Sequence, residues 1–195
     1  MKQAFFDFVQ QHIQLDPKEM AFMDELLPIK TFSRGDFLLQ QEAISKHFFF
    51  IIKGCIRLFY VVDGIEKSAF FYTENEFVSS YESFTKQAPA KHNFQATEST
   101  QVIVISADSA YKLLAYSPKF DFLARVIMEE ELSTYQNMIA AFITLNPEQR
   151  YLQFLAQKGS LINRLPQHYI ASYLGVSAES LSRIKKRIAT KTKKS

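Results

Sequence analysis

The polar side chains that follow Gly175 have the chemistry to hydrogen-bond with the edges of nucleic-acid bases. A carboxylate, two hydroxyls and a guanidinium stand close together, and these candidate base contacts are Glu179, Ser180, Ser182 and Arg183. Such groups match the donors and acceptors that base pairs present in the DNA major groove. In the same segment, the apolar residues Leu181, Ile184 and Ile188 recur at the spacing of a buried helical stripe. The pattern predicts a short helix that is apolar behind and polar to basic in front.

The same segment holds groups that suit phosphate oxygens. These candidate phosphate contacts are Ser177, Lys185, Lys186 and Arg187. Residues 150–195 contain ten basic side chains and one acidic one, a net charge of +9, whereas residues 1–149 contain 13 basic and 19 acidic ones, a net charge of −6. This asymmetry predicts two domains with different partners, the basic one binding a polyanion: nucleic acid first, an anionic membrane surface second. The alternative is a lysine-rich tail that serves solubility.

Residues 165–184 carry the start and stop signals of two helices joined by a tight turn. Pro166 suits the first turn of the first helix, and Gly175 suits the left-handed position that ends it. Ser177 is then the N-cap of the second helix, where Glu179 lies at the positive end of the helix dipole. This order predicts a helix-turn-helix, which places a recognition helix in the major groove. The same order also occurs in ordinary helical hairpins.

The segment before the predicted helix-turn-helix has the pattern of one long helix. Ser117-Pro118 provides an N-cap and a proline at the first helical position, and neither glycine nor proline occurs again before residue 147. One apolar row has the spacing of a heptad seam: Met128, Leu132, Tyr135, Ile139 and Phe142. A second row lies partly on another face: Leu123, Ile127, Met138, Ala141 and Leu145. We expect one row to pack on the preceding domain and the other on a second chain, which predicts a homodimer. The alternative is an internal helix of one larger core.

Two further helix boundaries follow from capping residues. Asp108 is expected to cap a helix over residues 109–116, and Asn146-Pro147 to start a helix that Gly159 ends. The second boundary separates the long helix from the C-terminal domain.

The first part of the chain predicts two short helices and then a set of short strands. Apolar side chains recur at helical spacing within residues 3–27, where Asp16-Pro17-Lys18-Glu19 has the capping-box pattern of a helix start. Residues 29–106 contain six to eight candidate strands, and Asp63-Gly64 suits a two-residue hairpin turn. We therefore predict an α+β chain with three parts: an antiparallel β-roll in residues 1–116, a dimerisation helix in residues 117–145 and a helix-turn-helix domain in residues 146–195.

Composition excludes several classes of function. The longest apolar run, Met138–Ile143, is far shorter than the ~20 residues of a membrane span, and the N-terminus has no apolar signal core. Cys55 is the single cysteine, so we expect a core residue, without an internal disulfide or a cysteine-held zinc or iron–sulfur site. The sequence shows no catalytic grouping, glycine-rich phosphate loop or metal-spaced cluster. We expect a cytoplasmic protein that is not an enzyme, holds no metal and has no membrane partner.

The order of these parts resembles the Crp/Fnr superfamily of bacterial transcription regulators. Arg34-Gly35-Asp36 and the run from Phe50 to Arg57 are similar to two glycine turns of that family's roll. That roll is a double-stranded β-helix of the cyclic nucleotide-binding type. Residues 170–184 are similar to the family's DNA-binding element, and the resemblance covers roughly residues 5–190.

The resemblance implies double-stranded DNA, RNA polymerase and a second copy of the chain as partners. Glu179, Ser180 and Arg183 would then face bases of a near-palindromic site. Ala178 stands where the family often has an arginine, so the target preference is expected to differ. The family's C-terminal wing hairpin is also replaced by a lysine-rich end. The alternative function is a ligand-binding module whose C-terminal domain no longer binds DNA.

The stretch that matches the family's nucleotide site departs from its pattern. In cyclic-nucleotide-binding members, a glycine–glutamate pair and a following arginine hold the ribose and the cyclic phosphate. Here Ser79 and Ser80 replace the pair, and the arginine position falls near Ala90. The candidate effector pocket therefore has a degenerate cyclic-nucleotide site, and its residues are Ser79, Ser80, Tyr81 and Lys91. We expect no cofactor and leave the effector unknown.

Overall fold

Two short helices begin the chain, whose computed structural model describes residues 2–192. Helix α1 spans Gln3–His12 and helix α2 spans Pro17–Leu26. The predicted capping box is confirmed, because Asp16 accepts hydrogen bonds from the backbone N–H groups of Lys18 and Glu19. The Glu19 carboxylate in turn accepts one from the Asp16 N–H at 2.9 Å.

The described part of the chain contains eight strands in two antiparallel sheets. Their bounds are β1 (Ile29–Phe32), β2 (Phe37–Leu39), β3 (His47–Lys53), β4 (Ile56–Val62), β5 (Ile65–Tyr72), β6 (Phe77–Val78), β7 (Asn93–Ala96) and β8 (Thr100–Ser106). One sheet has the order β1-β8-β3-β6 and the other β2-β7-β4-β5. Most neighbours are distant in sequence, as in a roll rather than a meander. The predicted fold class, an antiparallel β-roll followed by a long helix and further helices, is confirmed.

Alternation along β3 divides the hydrophobic core in two. Phe49 and Ile51 pack between the two sheets, in the interior of the roll. Phe50 points the opposite way and packs under α1, where its ring centroid lies 5.0 Å from that of Phe5. This period of two is that of a strand buried on both faces. Helices α1 and α2 therefore cover the outer face of the first sheet.

The turn between β4 and β5 forms as predicted. Asp63 and Gly64 have φ angles of 52° and 74°, and Val62 pairs with Ile65 on either side of them. Two successive residues with positive φ form the hairpin turn that matches the twist of the flanking strands.

One short helix lies between β6 and β7, and two longer helices follow β8. They are α3 (Tyr81–Lys86), α4 (Ala107–Tyr116) and α5 (Pro118–Thr144). Helix α3 was not predicted, and Ser117 caps α5 as expected. The predicted cap of α4 at Asp108 is wrong: Ser106 accepts the hydrogen bond from the Ser109 N–H at 3.0 Å. The reason is that β8 runs directly into α4, so the last extended residue is Ser106. Among the described residues, no helix is both long and apolar enough to cross a bilayer.

Four helical segments form the C-terminal part. They are α6 (Pro147–Lys158), a 3₁₀ helix (Gly159–Asn163), α7 (Gln167–Tyr173) and α8 (Ala178–Thr192). Helix α6 ends before Gly159 as predicted, but the glycine keeps right-handed geometry, with φ −57°, and opens the 3₁₀ helix.

The C-terminal helices pack directly on β5. Phe71 of β5 and Cys55 share one hydrophobic core with Phe154 of α6 and Ile170 of α7. The Ser68 N–H donates a hydrogen bond to Ser172 Oγ at 2.9 Å. Cys55 is thus a core residue as predicted, and burial raises the pKa of its thiol to about 11.

Ion pairs reinforce this contact between the two parts of the molecule. Arg164 donates to both carboxylate oxygens of Glu74, at 2.7 and 3.0 Å, and also to Glu98. Lys158 Nζ lies 2.9 Å from both carboxylate oxygens of Glu76. Charge-assisted bonds of this kind are among the stronger hydrogen bonds in proteins, so the C-terminal helices are held firmly against the roll.

Candidate functional site

The α7–α8 turn has the geometry that a helix-turn-helix needs. Gly175 has φ +70°, the left-handed conformation that glycine adopts without steric cost. The Val176 N–H returns to the Ala171 carbonyl and the Gly175 N–H to the Ser172 carbonyl, both at 3.0 Å. These bonds close the end of α7 and reverse the chain. The apolar faces of the two helices then meet in one core: Ile170, Ala171, Leu174, Leu181 and Ile184 are buried.

The opposite face of α8 is open to solvent. Glu179, Ser182, Arg183 and Lys186 are all exposed, and helical spacing places them on one side, away from Leu181. Hydrogen bonds from its own backbone N–H and from Ser177 lower the pKa of Glu179. This face therefore offers an ionised carboxylate, a hydroxyl and two cations to any ligand.

Two of the predicted contacts lie at the edge of that face. Ser177 caps α8, accepting a hydrogen bond from the Ser180 N–H at 3.2 Å. Ser180 Oγ accepts a hydrogen bond from Arg183 Nη2 at 3.1 Å. Ser180 is only partly exposed and lines a groove between α6 and α8. In this structure it orients Arg183.

The predicted phosphate contacts differ in their surroundings. Lys186 is exposed, Lys185 is partly buried on the other flank of α8, and Arg187 forms an ion pair with Glu148 at 3.3 Å.

Three other basic residues in the segment 150–195 face the protein and not the solvent. Lys158 and Arg164 bind carboxylates of the roll, and Arg150 donates to the carbonyl groups of Leu145 and Leu174. Lys193 and Lys194 of the basic tail lie outside the described residues.

The long helix α5 presents an unpartnered apolar row in this single chain. Leu132, Ile139 and Phe142 of the heptad-spaced row are 58%, 55% and 45% exposed. Ile143, which neither predicted row contains, follows Ile139 by one helical turn and is 78% exposed. Leu123, Ile127 and Met138, of the second predicted row, pack on the roll.

Tyr135 belongs to the heptad-spaced row but does not share the exposure of Leu132 and Ile139. Its hydroxyl lies 2.8 Å from that of Tyr72 in β5, and it donates to Glu131 at 2.9 Å. Tyr135 therefore faces the roll. The heptad pattern alone could not show this, because Tyr135 lies on the boundary between the two helix faces.

A cavity of about 460 Å³ lies between the roll and α5. The four residues of the predicted effector pocket all line it: Ser79, Ser80, Tyr81 and Lys91. Ser79 and Ser80 are buried, whereas Tyr81 is half exposed. The Lys91 ammonium is paired with Glu82 at 2.9 Å, which raises the pKa of Lys91.

Among the polar residues of this cavity that the sequence did not assign to it are Glu131, Tyr135 and His92. Burial raises the pKa of Glu131 despite the hydrogen bond from Tyr135, and it lowers the pKa of His92. In the described part of the structure, neither Ser79 Oγ nor His92 Nε2 has a hydrogen-bond partner. The position of Glu131 one turn before Tyr135 was the available signal, but only the fold shows that both face the roll.

Nothing in residues 2–192 assembles a metal site from three or more histidine, cysteine, aspartate or glutamate side chains. The geometry instead offers a polar helix face at one end and a ligand-sized cavity at the other.

The roll has relatives that can be recognised by sequence. Residues 29–117 match the family model of the cyclic nucleotide-binding domain. That segment contains all eight strands and the cavity wall formed by α3. No match was found among curated proteins.

Solved structures extend the likeness to nearly the whole chain. FixK2 from Bradyrhizobium japonicum has a TM-score of 0.72 at 13% identity, covering 85% of this chain and 86% of that one. The c-di-GMP responsive global regulator CLP of Xanthomonas campestris has a TM-score of 0.70 at 13% identity, covering 91% and 93%. The catabolite activator protein of Thermus thermophilus has a TM-score of 0.56 at 16% identity, covering 91% and 85%. The chain has the Crp/Fnr-type fold. At these identities the likeness is one of fold.

Proposed function

We propose that this protein is a homodimeric, DNA-binding transcription regulator whose roll senses a small molecule. The exposed face of α8 carries the proposal, because Glu179, Ser182, Arg183 and Lys186 lie together on a helix whose other side is buried. A helix of this kind, held by a helix-turn-helix, suits the major groove. The Crp/Fnr-type fold supports the proposal, since similar structures are named a catabolite activator protein and a global regulator.

Within this proposal, the base contacts come from Glu179, Ser180, Ser182 and Arg183. Arg183 makes the strongest one, because a guanidinium can bind two acceptors of a guanine at once. The phosphate contacts come from Ser177, Lys185, Lys186 and Arg187. Arg187 must then exchange its partner Glu148 for a phosphate, whereas Lys186 is already exposed to solvent.

The apolar row of α5 provides the dimer contact of the proposal. Leu132, Ile139 and Ile143 would pack against the same residues of a second chain, which removes apolar surface from water. The dimer would carry two recognition helices about 34 Å apart, one helical turn of DNA. The proposed division is residues 1–116 for sensing, 117–145 for dimerisation and 146–195 for DNA binding, with RNA polymerase as a further partner.

Replacement of Arg183 tests the DNA contact directly. We expect Arg183→Ala to lower affinity by about 1–3 kcal/mol for the preferred site and to relax the preference at one base position in each half-site. The measurement is selection of binding sites from random duplexes, followed by titration of the selected sequence.

Lys186→Ala is the matched control on the same face of α8. Because a phosphate contact carries no sequence information, we expect it to weaken binding equally for all duplexes and to reduce the salt dependence. An equal loss across all sequences for Arg183→Ala contradicts its role in base recognition. A wild-type protein that binds no duplex at low salt overturns the proposal and favours a ligand-binding module.

A further inference from the structure

We propose that the cavity between the roll and α5 selects a compact, mostly apolar molecule that carries a hydrogen-bond donor, and that Glu131 excludes anionic ligands such as nucleotides. This inference rests on the proposed function, because it names the ligand class of the proposed sensor.

The size and walls of the cavity set the size and polarity of the ligand. Its volume of about 460 Å³ is in the range of small-molecule sites. Leu58 and Phe70 of the roll form one apolar wall, and Met128 and Met138 of α5 form the other. A flat or compact apolar body between these walls would exclude water from both.

Two buried polar atoms belong to residues that line this cavity. Ser79 is 6% exposed, and neither its Oγ nor His92 Nε2 has a hydrogen-bond partner within the described structure. Buried polar atoms are nearly always hydrogen-bonded in folded proteins. Both atoms are themselves shielded from solvent, so a bound molecule would reach them only if the wall shifted.

The charges around the cavity disfavour an anion. The Lys91 ammonium is paired with Glu82, and burial lowers the pKa of His92, which favours its neutral form. No arginine is among the residues that line the cavity within residues 2–192. A phosphate would therefore meet a cation only by displacing Glu82 from Lys91, and it would lie beside Glu131. Because burial already raises the pKa of Glu131, a second anion there would either meet its charge or force it to bind a proton.

Glu131 has the chemistry to recognise a donor. It accepts a single hydrogen bond from Tyr135, although a carboxylate can accept several. A hydroxyl, amide or ammonium on the ligand would add a second bond at a partly buried site, where it is stronger than in water. Leu132 and Ile139 line the same cavity and belong to the proposed dimer seam, so the ligand would also order that seam.

Three naphthalenes of equal ring size and different charge test this selection. The full chain is titrated by calorimetry with 2-naphthylmethylamine, 2-naphthamide and 2-naphthoate, and with cyclic AMP. We expect the amine and the amide to bind at least roughly tenfold more tightly than the carboxylate, and cyclic AMP not to bind. In Glu131→Gln, affinity for the amine should fall roughly tenfold and affinity for 2-naphthoate should rise. Glu129→Gln, an exposed carboxylate on the same helix, should behave as the wild type.

The rank of the probes on the wild-type protein is decisive even if Glu131→Gln fails to fold. Equal or tighter binding of 2-naphthoate, tight binding of cyclic AMP, or no binding of any naphthalene at millimolar concentration overturns the inference. An unchanged rank in a folded Glu131→Gln overturns the role of Glu131. Gel shifts without probe separate this result from the proposed function: a protein that ranks the probes as expected but binds no duplex refutes the regulator alone.

Discussion

Gly54 shows how strongly one residue can constrain this fold. It joins β3 to β4 with φ +111°, and a Cβ built on it would lie 2.6 Å from the backbone Cα of Thr100. Its N–H donates to Glu74 Oε1 at 2.8 Å, the same carboxylate that binds Arg164. The glycine thus allows a close approach of two backbones and anchors the acid that receives the C-terminal helices.

We expect Gly54→Ala to destabilise the protein by several kcal/mol, because both the backbone conformation and the Thr100 backbone would have to change. Gly64→Ala is the matched control, since Gly64 has φ +74° but a Cβ placed on it would meet no atom within 4 Å. It should cost only about 1–2 kcal/mol of backbone strain. Urea unfolding of both variants measures the difference, and an equal loss would show that the contact with Thr100 is unimportant.

At the scale of elements, β5 connects the cavity to the C-terminal helices. Phe70 lines the cavity, while its neighbour Phe71 packs against Phe154 and Tyr173 of those helices. The guanidinium of Arg57, in the adjacent strand β4, stacks on the ring of Tyr169 in α7 at 3.7 Å. A ligand that displaces β5 would therefore move groups that touch α7 directly.

The ion pairs of Arg164 make this contact dependent on pH. Desolvation alone would raise the pKa of Glu74, but the hydrogen bonds from Arg164 and from the Gly54 N–H outweigh it, and the pKa lies below its ordinary value of 4.5. A depressed acid pKa contributes stability above the ordinary value, and this contribution is lost as the pH falls through the folded-state pKa.

We expect Arg164→Ala to lower the free energy of unfolding by about 1–3 kcal/mol at pH 7 and by progressively less below pH 4.5. Thermal melts of wild type and variant between pH 7 and pH 3 measure this difference. Arg34→Ala, in the exposed turn between β1 and β2, is the control and should have little effect. A difference that stays constant with pH would contradict the role of Glu74.

At the scale of the whole molecule, the exposed row of α5 determines the proposed assembly. We expect Ile139→Glu to convert the dimer to a monomer, because it would place two carboxylates in one apolar seam. Sedimentation velocity measures the change, and binding to a two-half-site duplex should fall with it. Tyr111→Glu alters a residue of α4 that is 74% exposed and lies off the seam, and it should leave the assembly unchanged. A wild-type protein that is monomeric at micromolar concentration would contradict the dimer.

Features that depend on a few neighbouring residues could be predicted from the amino-acid sequence. The capping box at Asp16, the hairpin turn at Asp63-Gly64, the start of α5 at Pro118 and the left-handed Gly175 all form as predicted. Each is controlled by the local conformation and hydrogen bonding of residues within one turn, so the chain around it carries the necessary information. The positions of most strands and helices are marked locally in the same way, whereas the pairing of strands that are distant in the chain is not.

The contacts between these local features depend on how the whole chain packs. Tyr135 has the spacing of a seam residue yet bonds to Tyr72, and Lys158 and Arg164 add to the basic charge of the C-terminal part yet bind Glu76 and Glu74. These partners lie 63 to 90 residues away along the chain. Burial and pairing depend on how separate elements pack against one another, which neither charge counts nor helical spacing can specify.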